Sequence, residues 1–287
     1  MKAQTRVMRR IGTSFALALA LGVTANARAA DGYQLQVLVS DGLVAAKNPT
    51  PDPNLINAWG LTFSATSPAW VADNGTGLST LYDGNGNILS LVVTIPSPSA
   101  PTGGTPTGIV ANVSTAATSF PVGGAASRFL FSAEDGTILG WSGGTAAIIA
   151  VDNSAPPPVG TSALYKGIAL SAGGTGQLLY ATDFHNGRVD AFKNTFAPAT
   201  LPAGAFTDPN LPAGYAPFGI QAIGGNIYVT YAKQVPGSND EAHGKGLGVV
   251  DVYDPNGVLL DRVATHGNLN APWGIAMAPA GFGKFSN

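Results

Sequence analysis

One short pattern recurs five times along the chain and limits the folds open to it. Each copy is a small residue cluster, a glycine and an apolar run: "NAWGLTF", "GTPTGIVA", "LYKGIAL", "YAPFGIQAI" and "NAPWGIAMA". We call the five glycines the anchor glycines; they are Gly60, Gly108, Gly167, Gly219 and Gly274. They are 48, 59, 52 and 55 residues apart. This period is typical of a β-propeller built from four-stranded blades.

The segments between the anchors indicate strands alone. Short runs rich in Val, Ile, Leu and Tyr alternate with "NG", "DG" and "GG" turns, where glycine supplies the positive φ that tight hairpins need. Beyond the first thirty residues, no stretch keeps apolar residues at helical spacing for three turns. We therefore predict one all-β propeller domain over residues 30–287. Its four recognisable four-stranded blades are predicted at about residues 57–96, 105–152, 164–207 and 215–264.

Two further strands are predicted at the ends of that domain. The segment 270–287 begins like another blade, so we expect it to supply the first strand of a fifth. "YQLQVLVS", residues 33–40, is a strand that precedes the first anchor. In a closed propeller such an N-terminal strand usually completes the last blade, so we expect it to be the outermost strand there. A ring built this way would be a C-terminally truncated propeller, either natural or a fragment.

The strand and turn segments resemble NHL-repeat propellers. "LLYATDFHNGRVDAFK" is the closest match to that repeat and "WVADNGTGLSTLYD" the next. The chain also resembles an uncharacterised family of secreted bacterial propellers through "NLINAWGLTFS" and "NAPWGIAMAPAGFGKFS". Some members of that family carry a PEP-CTERM sorting tail, which this chain does not show. The resemblance implies a six-bladed ring of the NHL, TolB and SMP-30 kind.

The N-terminus has the pattern of an export signal. Four basic residues in "MKAQTRVMRR" precede a short apolar run and the small-residue site Ala27-Arg28-Ala29. We predict a signal peptide over residues 1–29, cleaved after Ala29 or at the next bond, and delivery to the periplasm or the exterior. The alternative is an uncleaved anchor, although the apolar run is short for a membrane span.

Charge and cysteine content exclude several functions. Removing residues 1–29 removes five basic residues, so 14 − 5 = 9 remain against 16 acidic ones, a formal net charge of −7. Such a lysine-poor surface argues against nucleic acid, which is bound mainly by neutralising phosphates. The chain has no cysteine. Disulfides and thiolate chemistry are therefore excluded.

Propeller geometry predicts that two residue sets converge on one face, called here the top face. One set precedes the anchor glycines and includes Trp59, Lys166, Phe218 and Trp273; the other follows the second strands and includes Asp73, Asn74, Glu134, Asp183, His185 and Asn186. Six-bladed lactonases and esterases hold Ca²⁺ or Zn²⁺ at the channel mouth through oxygen ligands from several blades. By that resemblance, Asp73, Asn74, Asp183 and Asn186 are candidate ligands, with Ca²⁺ as the ion considered.

Each candidate also has a structural interpretation. An Asp before Gly or Asn caps the backbone N–H groups of a tight turn, so turn capping is the favoured role of the acidic residues. His185 is either a base or ligand, or a solvent-facing turn residue. Trp59, Phe218 and Trp273 form either an aromatic rim for a ligand or packing between blades, and packing is favoured.

Two functional hypotheses follow. The leading one is a secreted, non-catalytic propeller that presents top-face loops to a protein or a glycan. Its long loops are rich in Pro, Ala, Gly and Ser, which is also typical of a tolerant surface. The competing hypothesis is a metal-dependent hydrolase of the lactonase or esterase kind. It requires oxygen ligands from several blades to converge within about 2.6 Å of one ion.

Overall fold

The computed structural model describes residues 33, 35–42, 50–114, 116–155, 162–173 and 176–286. The predicted signal peptide lies outside the described residues. Within them, no helix is long and apolar enough to cross a membrane.

The N-terminal segment forms one short parallel pair, β1 (Val39–Ser40) with β2 (Thr50–Pro51). The prediction of a strand across residues 33–40 is therefore wrong for most of its length. A strand needs a partner for its backbone groups, and the described part of this segment finds one only at β2. It does not act as the outer strand of a blade.

Four antiparallel sheets then follow one another along the chain, and we number them blades one to four. Blade one is β3 (Ala58–Thr62), β4 (Ala69–Asp73), β5 (Leu78–Tyr82) and β6 (Val93–Thr94), followed by the hairpin β7 (Pro96–Ser97) and β8 (Ala100–Gly103). Blade two is β9 (Pro106–Ala111), β12 (Phe129–Ala133), β13 (Thr137–Trp141) and β14 (Ile148–Asp152), with the hairpin β10 (Pro121–Val122) and β11 (Ala125–Ala126) between its first two strands. Blade three is β15 (Tyr165–Gly173), β16 (Gly176–Asp183) and β17 (Arg188–Lys193). Blade four is β18 (Tyr215–Ile223), β19 (Asn226–Lys233), β20 (Val249–Tyr253) and β21 (Leu259–Thr265).

Two predicted strands do not form among the described residues. Blade three has three strands, and an isolated bridge between Phe192 and Pro198 stands where the fourth was expected. Proline cannot donate to a ladder, so the proline-rich segment after β17 does not extend the sheet. Residues 270–286 contain no strand and end in a 3₁₀ helix at Gly283–Phe285. That segment finds no antiparallel partner here, and the prediction of a fifth-blade strand is wrong in this respect.

The anchor glycines explain how the blades pack. A Cβ added at each of the first four would lie against the backbone of the next copy of the pattern: 2.6 Å from Thr107 O at Gly60, 2.7 Å from Ile168 N at Gly108, 3.1 Å from Phe218 O at Gly167 and 2.0 Å from Trp273 O at Gly219. The inner strands of successive blades therefore touch at a position that only glycine fits. Each inner pair also shifts register at or beside its anchor, which bends the strand there.

Apolar side chains fill the space between successive blades. One core cluster joins blades one and two around Trp70 and Phe129, and another joins blades two and three around Leu130 and Leu179. A further cluster joins blades three and four around Tyr180 and Tyr231. Sheets packed face to face around shared inner strands confirm the predicted all-β propeller. The six-blade count stays a prediction.

Candidate functional site at the channel mouth

The two predicted residue sets meet where the inner strands begin. We call this region the channel mouth; its members are Asn57, Trp59, Asn74, Glu134, Lys166, Phe184, Phe218 and Trp273. Below it lies a channel of about 360 Å³, lined by the anchor segments of all five copies. None of the described residues that line this channel is titratable. Each of four anchor segments contributes an isoleucine to its wall: Ile109, Ile168, Ile220 and Ile275.

The three predicted aromatic residues contact one another at the mouth. Trp59 meets Phe218 edge-on at 5.9 Å between ring centroids and meets Trp273 edge-on at 5.5 Å. Phe184 adds a fourth ring, 5.2 Å from Phe218. Phe218 is buried, whereas the two tryptophans are half-buried. The four rings therefore pack against one another across the mouth, and only the two tryptophans among them reach solvent.

Lys166 lies within these rings and is the most unusual residue of the mouth. Its side chain is 1% exposed, and its ammonium lies 5.0 Å from the ring centroid of Trp59 and 5.9 Å from those of Phe184 and Phe218. The faces of aromatic rings attract cations. The Nζ atom also lies 2.5 Å from Oε1 of Glu134, which is one-quarter exposed. The buried charge is thus paired, as a charge removed from water must be.

Hydrogen bonds tie this ion pair to the other blades. Oε2 of Glu134 accepts from Nδ2 of Asn74 at 3.0 Å, and Oδ1 of Asn74 accepts from Nδ2 of Asn57 at 3.0 Å. Trp273 donates its indole N–H to the backbone carbonyl of Lys166 at 2.7 Å. The network therefore connects blades one, two and three with the last anchor segment.

Asp183 is a turn cap. Its Oδ1 accepts the backbone N–H groups of Leu164 at 3.1 Å and Asn186 at 3.2 Å, and its Oδ2 accepts Nδ2 of Asn186 at 2.7 Å. Arg188 lies 3.3 Å from the same carboxylate. Burial raises the pKa of Asp183 above its ordinary value, while the hydrogen bonds act in the opposite direction.

Asp73 holds the equivalent place in blade one with a different set of partners. Its Oδ2 accepts the hydroxyl of Thr80 at 2.8 Å, whereas its Oδ1 is buried with no hydrogen-bond partner among the described residues. Burial raises its pKa to about 7, against the lowering effect of the hydrogen bonds from Thr80. Asp73 and Asp183 share no partner, and each is bonded within its own blade. The structure thus does not bring the predicted ligand set into one cluster.

The remaining candidates lie at the surface of the same face. His185 is exposed, and its carbonyl accepts a hydrogen bond from the side chain of Gln234 at 3.3 Å. Gln234 is the first residue of the blade-four insertion, residues 234–248 between β19 and β20. In that insertion the ring of His243 lies 4.0 Å from Glu241. Among the described residues, no three His, Cys, Asp or Glu side chains are grouped closely enough to hold a metal ion.

Sequence reasoning missed Phe184 and the role of Lys166. The residue before the anchor glycine is aromatic in three copies (Trp59, Phe218 and Trp273) and is Thr107 in a fourth. A lysine at this otherwise uncharged position was the sequence signal that could have identified Lys166. Phe184 carried no signal of its own, because its position in the other blades is held by residues of unrelated type.

Comparisons with known proteins give relatives without an established function. No protein-family model matches the chain. It is 29% identical over 257 residues to the uncharacterized protein R648 of Acanthamoeba polyphaga mimivirus, covering 88% of this chain and 62% of that protein. It is 32% identical over 168 residues to R640 of the same virus, covering 55% of this chain and 29% of that protein. The chain thus spans less than two thirds of the length of these relatives. A bacterial origin, which the resemblance to secreted bacterial propellers implies, stays a prediction.

Solved structures with some likeness are also propeller proteins. Virginiamycin B lyase from Staphylococcus aureus is 15% identical with a TM-score of 0.44, over 74% of this chain and 71% of that one. A calcium-binding regucalcin from Agrobacterium tumefaciens is 18% identical with a TM-score of 0.36, over 72% of this chain and 74% of that one. Likeness at this level says nothing about chemistry in this chain, whose β-propeller fold is established by its own sheets and anchor glycines.

Proposed function

We propose that this chain is a non-catalytic β-propeller scaffold that binds a protein or a glycan through its top-face loops. The observation that carries the proposal is the channel mouth, where Lys166 and its aromatic neighbours fill the place at which a substrate would enter. The two titratable residues there, Lys166 and Glu134, form an ion pair with each other. Catalysis in the channel would also have to proceed among mainly apolar side chains and Gln221, and none of these lining residues is an acid, a base or a nucleophile.

The loop that best fits this role is the blade-four insertion, residues 234–248. Two hydrogen bonds of 2.6 Å dock it beside the mouth: Gln234 Nε2 donates to the carbonyl of Phe184, and the N–H of Gly244 donates to Oδ1 of Asn270. Asp240 and His243, between these points, and Lys245, just after the second, are exposed. A loop held at both ends that presents polar side chains is the usual form of a recognition surface.

The metal-dependent hydrolase is the second candidate, and the arrangement of the carboxylates supports it less. Such an enzyme needs several oxygen ligands around one ion. Asp183 already accepts from its own turn, and Asp73 is buried beneath blade one's surface. We further propose that the chain is exported, on the strength of the N-terminal sequence pattern alone.

A glycan array together with thermal unfolding tests the proposal. We expect binding that is lost in the Asp240→Ala/His243→Ala/Lys245→Ala variant, because these side chains form the proposed surface, with an unchanged melting temperature. Thr66→Ala/Asn256→Ala is the matched control, since both residues are exposed in turns at the opposite face. Ca²⁺, Zn²⁺ and EDTA should leave the melting temperature unchanged. Hydrolysis of an aryl ester or a lactone that EDTA abolishes would overturn the proposal in favour of the enzyme.

A further inference from the structure

A groove between blades one and two opens at the end of the propeller opposite the mouth. Its volume is about 690 Å³, larger than the central channel. It is bounded by the turn Ser64–Pro68, by the end of β9 and by the start of β12. Small-molecule sites typically measure about 300–1,000 Å³ and are mainly apolar, with few polar groups. The volume of this groove lies in that range, and apolar residues form the larger part of its lining.

The floor of the groove is a rigid aromatic layer. Trp70 stacks on Phe129 with 4.1 Å between centroids and 22° between planes, and Trp141 lies 4.7 Å from Trp70. Leu81 and Leu91 extend the apolar surface beside them. These side chains belong to the core cluster between the two blades, so the floor is already formed before any ligand arrives.

The rim of the groove carries one positive charge and no negative one. Three arginines occur among the described residues, and two of them, Arg188 and Arg262, each contact two aspartates. The third, Arg128, is exposed at the groove and has no acidic partner within the described part of the chain. None of the residues that line the groove is acidic. An unpaired guanidinium is notable in a chain whose acidic residues outnumber its basic ones.

We propose that this groove binds a small aromatic carboxylate. The aromatic ring enters the groove between Pro68, Leu91 and Val113, above the buried aromatic layer, and the carboxylate pairs with Arg128. Guanidinium and carboxylate form two parallel charge-assisted hydrogen bonds, a geometry that favours carboxylates over neutral groups of similar shape. The site is separate from the top-face surface, so it stands or falls independently of the proposed function.

Isothermal titration calorimetry with 1-naphthoate and neutral 1-naphthalenemethanol tests this site. We expect 1-naphthoate to bind the whole protein, and Arg128→Gln to weaken it at least about tenfold while leaving the weaker binding of the alcohol unchanged. Arg128→Glu should abolish naphthoate binding and favour 1-naphthylmethylammonium instead. Lys233→Gln is the matched control, because it removes one exposed positive charge at the opposite face, and its affinity should stay within about twofold of the parent's.

Two results would overturn this proposal. One is the absence of heat from 1-naphthoate at concentrations on the order of 1 mM, since that would leave the groove without useful affinity for the class. The other is equal affinity in the parent protein and Arg128→Gln, which would place the ligand elsewhere. Because Arg128 is exposed, both variants are expected to fold, and their melting temperatures verify this.

Discussion

Substituting alanine for Gly219 is expected to lower the free energy of unfolding by about 3 kcal/mol, the upper range for forcing atoms into a packed core. The new Cβ would lie 2.0 Å from the carbonyl oxygen of Trp273 and 2.9 Å from the hydroxyl of Thr230. Both neighbouring residues are held: the hydroxyl of Thr230 accepts the N–H of Gly219 at 2.7 Å, and the indole N–H of Trp273 donates to the carbonyl of Lys166 at 2.7 Å. Urea unfolding followed by tryptophan fluorescence measures the change.

The chain supplies its own control for this substitution. Gly274 is the fifth copy of the anchor, and nothing lies within 4 Å of the place its Cβ would take. Gly274→Ala should therefore change stability by no more than about 0.5 kcal/mol. Equal losses in the two variants would show that alanine harms the strand in general, and would contradict the role given to the anchors in joining successive blades.

Glu134→Gln should destabilise the protein by about 3 kcal/mol, the usual cost of leaving a buried charge without its partner. The reason is Lys166, which is 1% exposed and has no other acidic partner among the described residues. Glutamine preserves the shape of Glu134 and can keep an acceptor for Asn74. Its NH2 group then faces the Lys166 ammonium, so the loss includes both the charge and the hydrogen bond to Lys166. Chemical denaturation of the variant gives the value.

A double-mutant cycle separates the charge pair from simple packing. Lys166→Met keeps the apolar stem among the rings and removes the ammonium, so we expect it to cost about 1 kcal/mol or less. The double variant Glu134→Gln/Lys166→Met should recover most of the stability that Glu134→Gln loses. If the two single effects instead add, the pair is not coupled and the account of the mouth is wrong.

The sequence predicted the repeat and the meeting of the two residue sets, because both follow from the blade plan. Glycine at a fixed period is required wherever backbones approach closely, so Gly60 and its equivalents could be recognised without a structure. Trp59, Phe218 and Trp273 then had to lie near one another. The local sequence does not encode the curvature of the propeller. That curvature determines which of these aromatic rings pack edge-on, and it places Lys166 among them.

Equivalent residues also took different roles that spacing could not distinguish. Asp73 and Asp183 end the same strand in two blades, yet only Asp183 accepts the N–H of the residue before the inner strand. In blade one that place belongs to Asn57, whose φ of 50° directs the backbone differently. The asparagine instead bonds Asn74 in the mouth network.

The sequence pattern did not predict which strand pairs with which. Residues 33–40 read as one strand, but their described part pairs only at β1. The segment after Gly274 repeats the anchor pattern but joins no sheet within the described residues. A period of two states which side chains share a face. It does not state which strand will satisfy the backbone, and that requires the assembled fold.

The most direct test of the closed channel mouth is the reactivity of its lysine. Acetylation of the folded protein with an amine-reactive ester, followed by peptide mass spectrometry, compares Lys166 with the exposed Lys193, Lys233 and Lys245. If the mouth is closed, Lys166 stays unmodified while the other three react, and all four react alike in urea. Modification of Lys166 at the rate of the exposed lysines in the folded protein would show an open mouth and contradict the account.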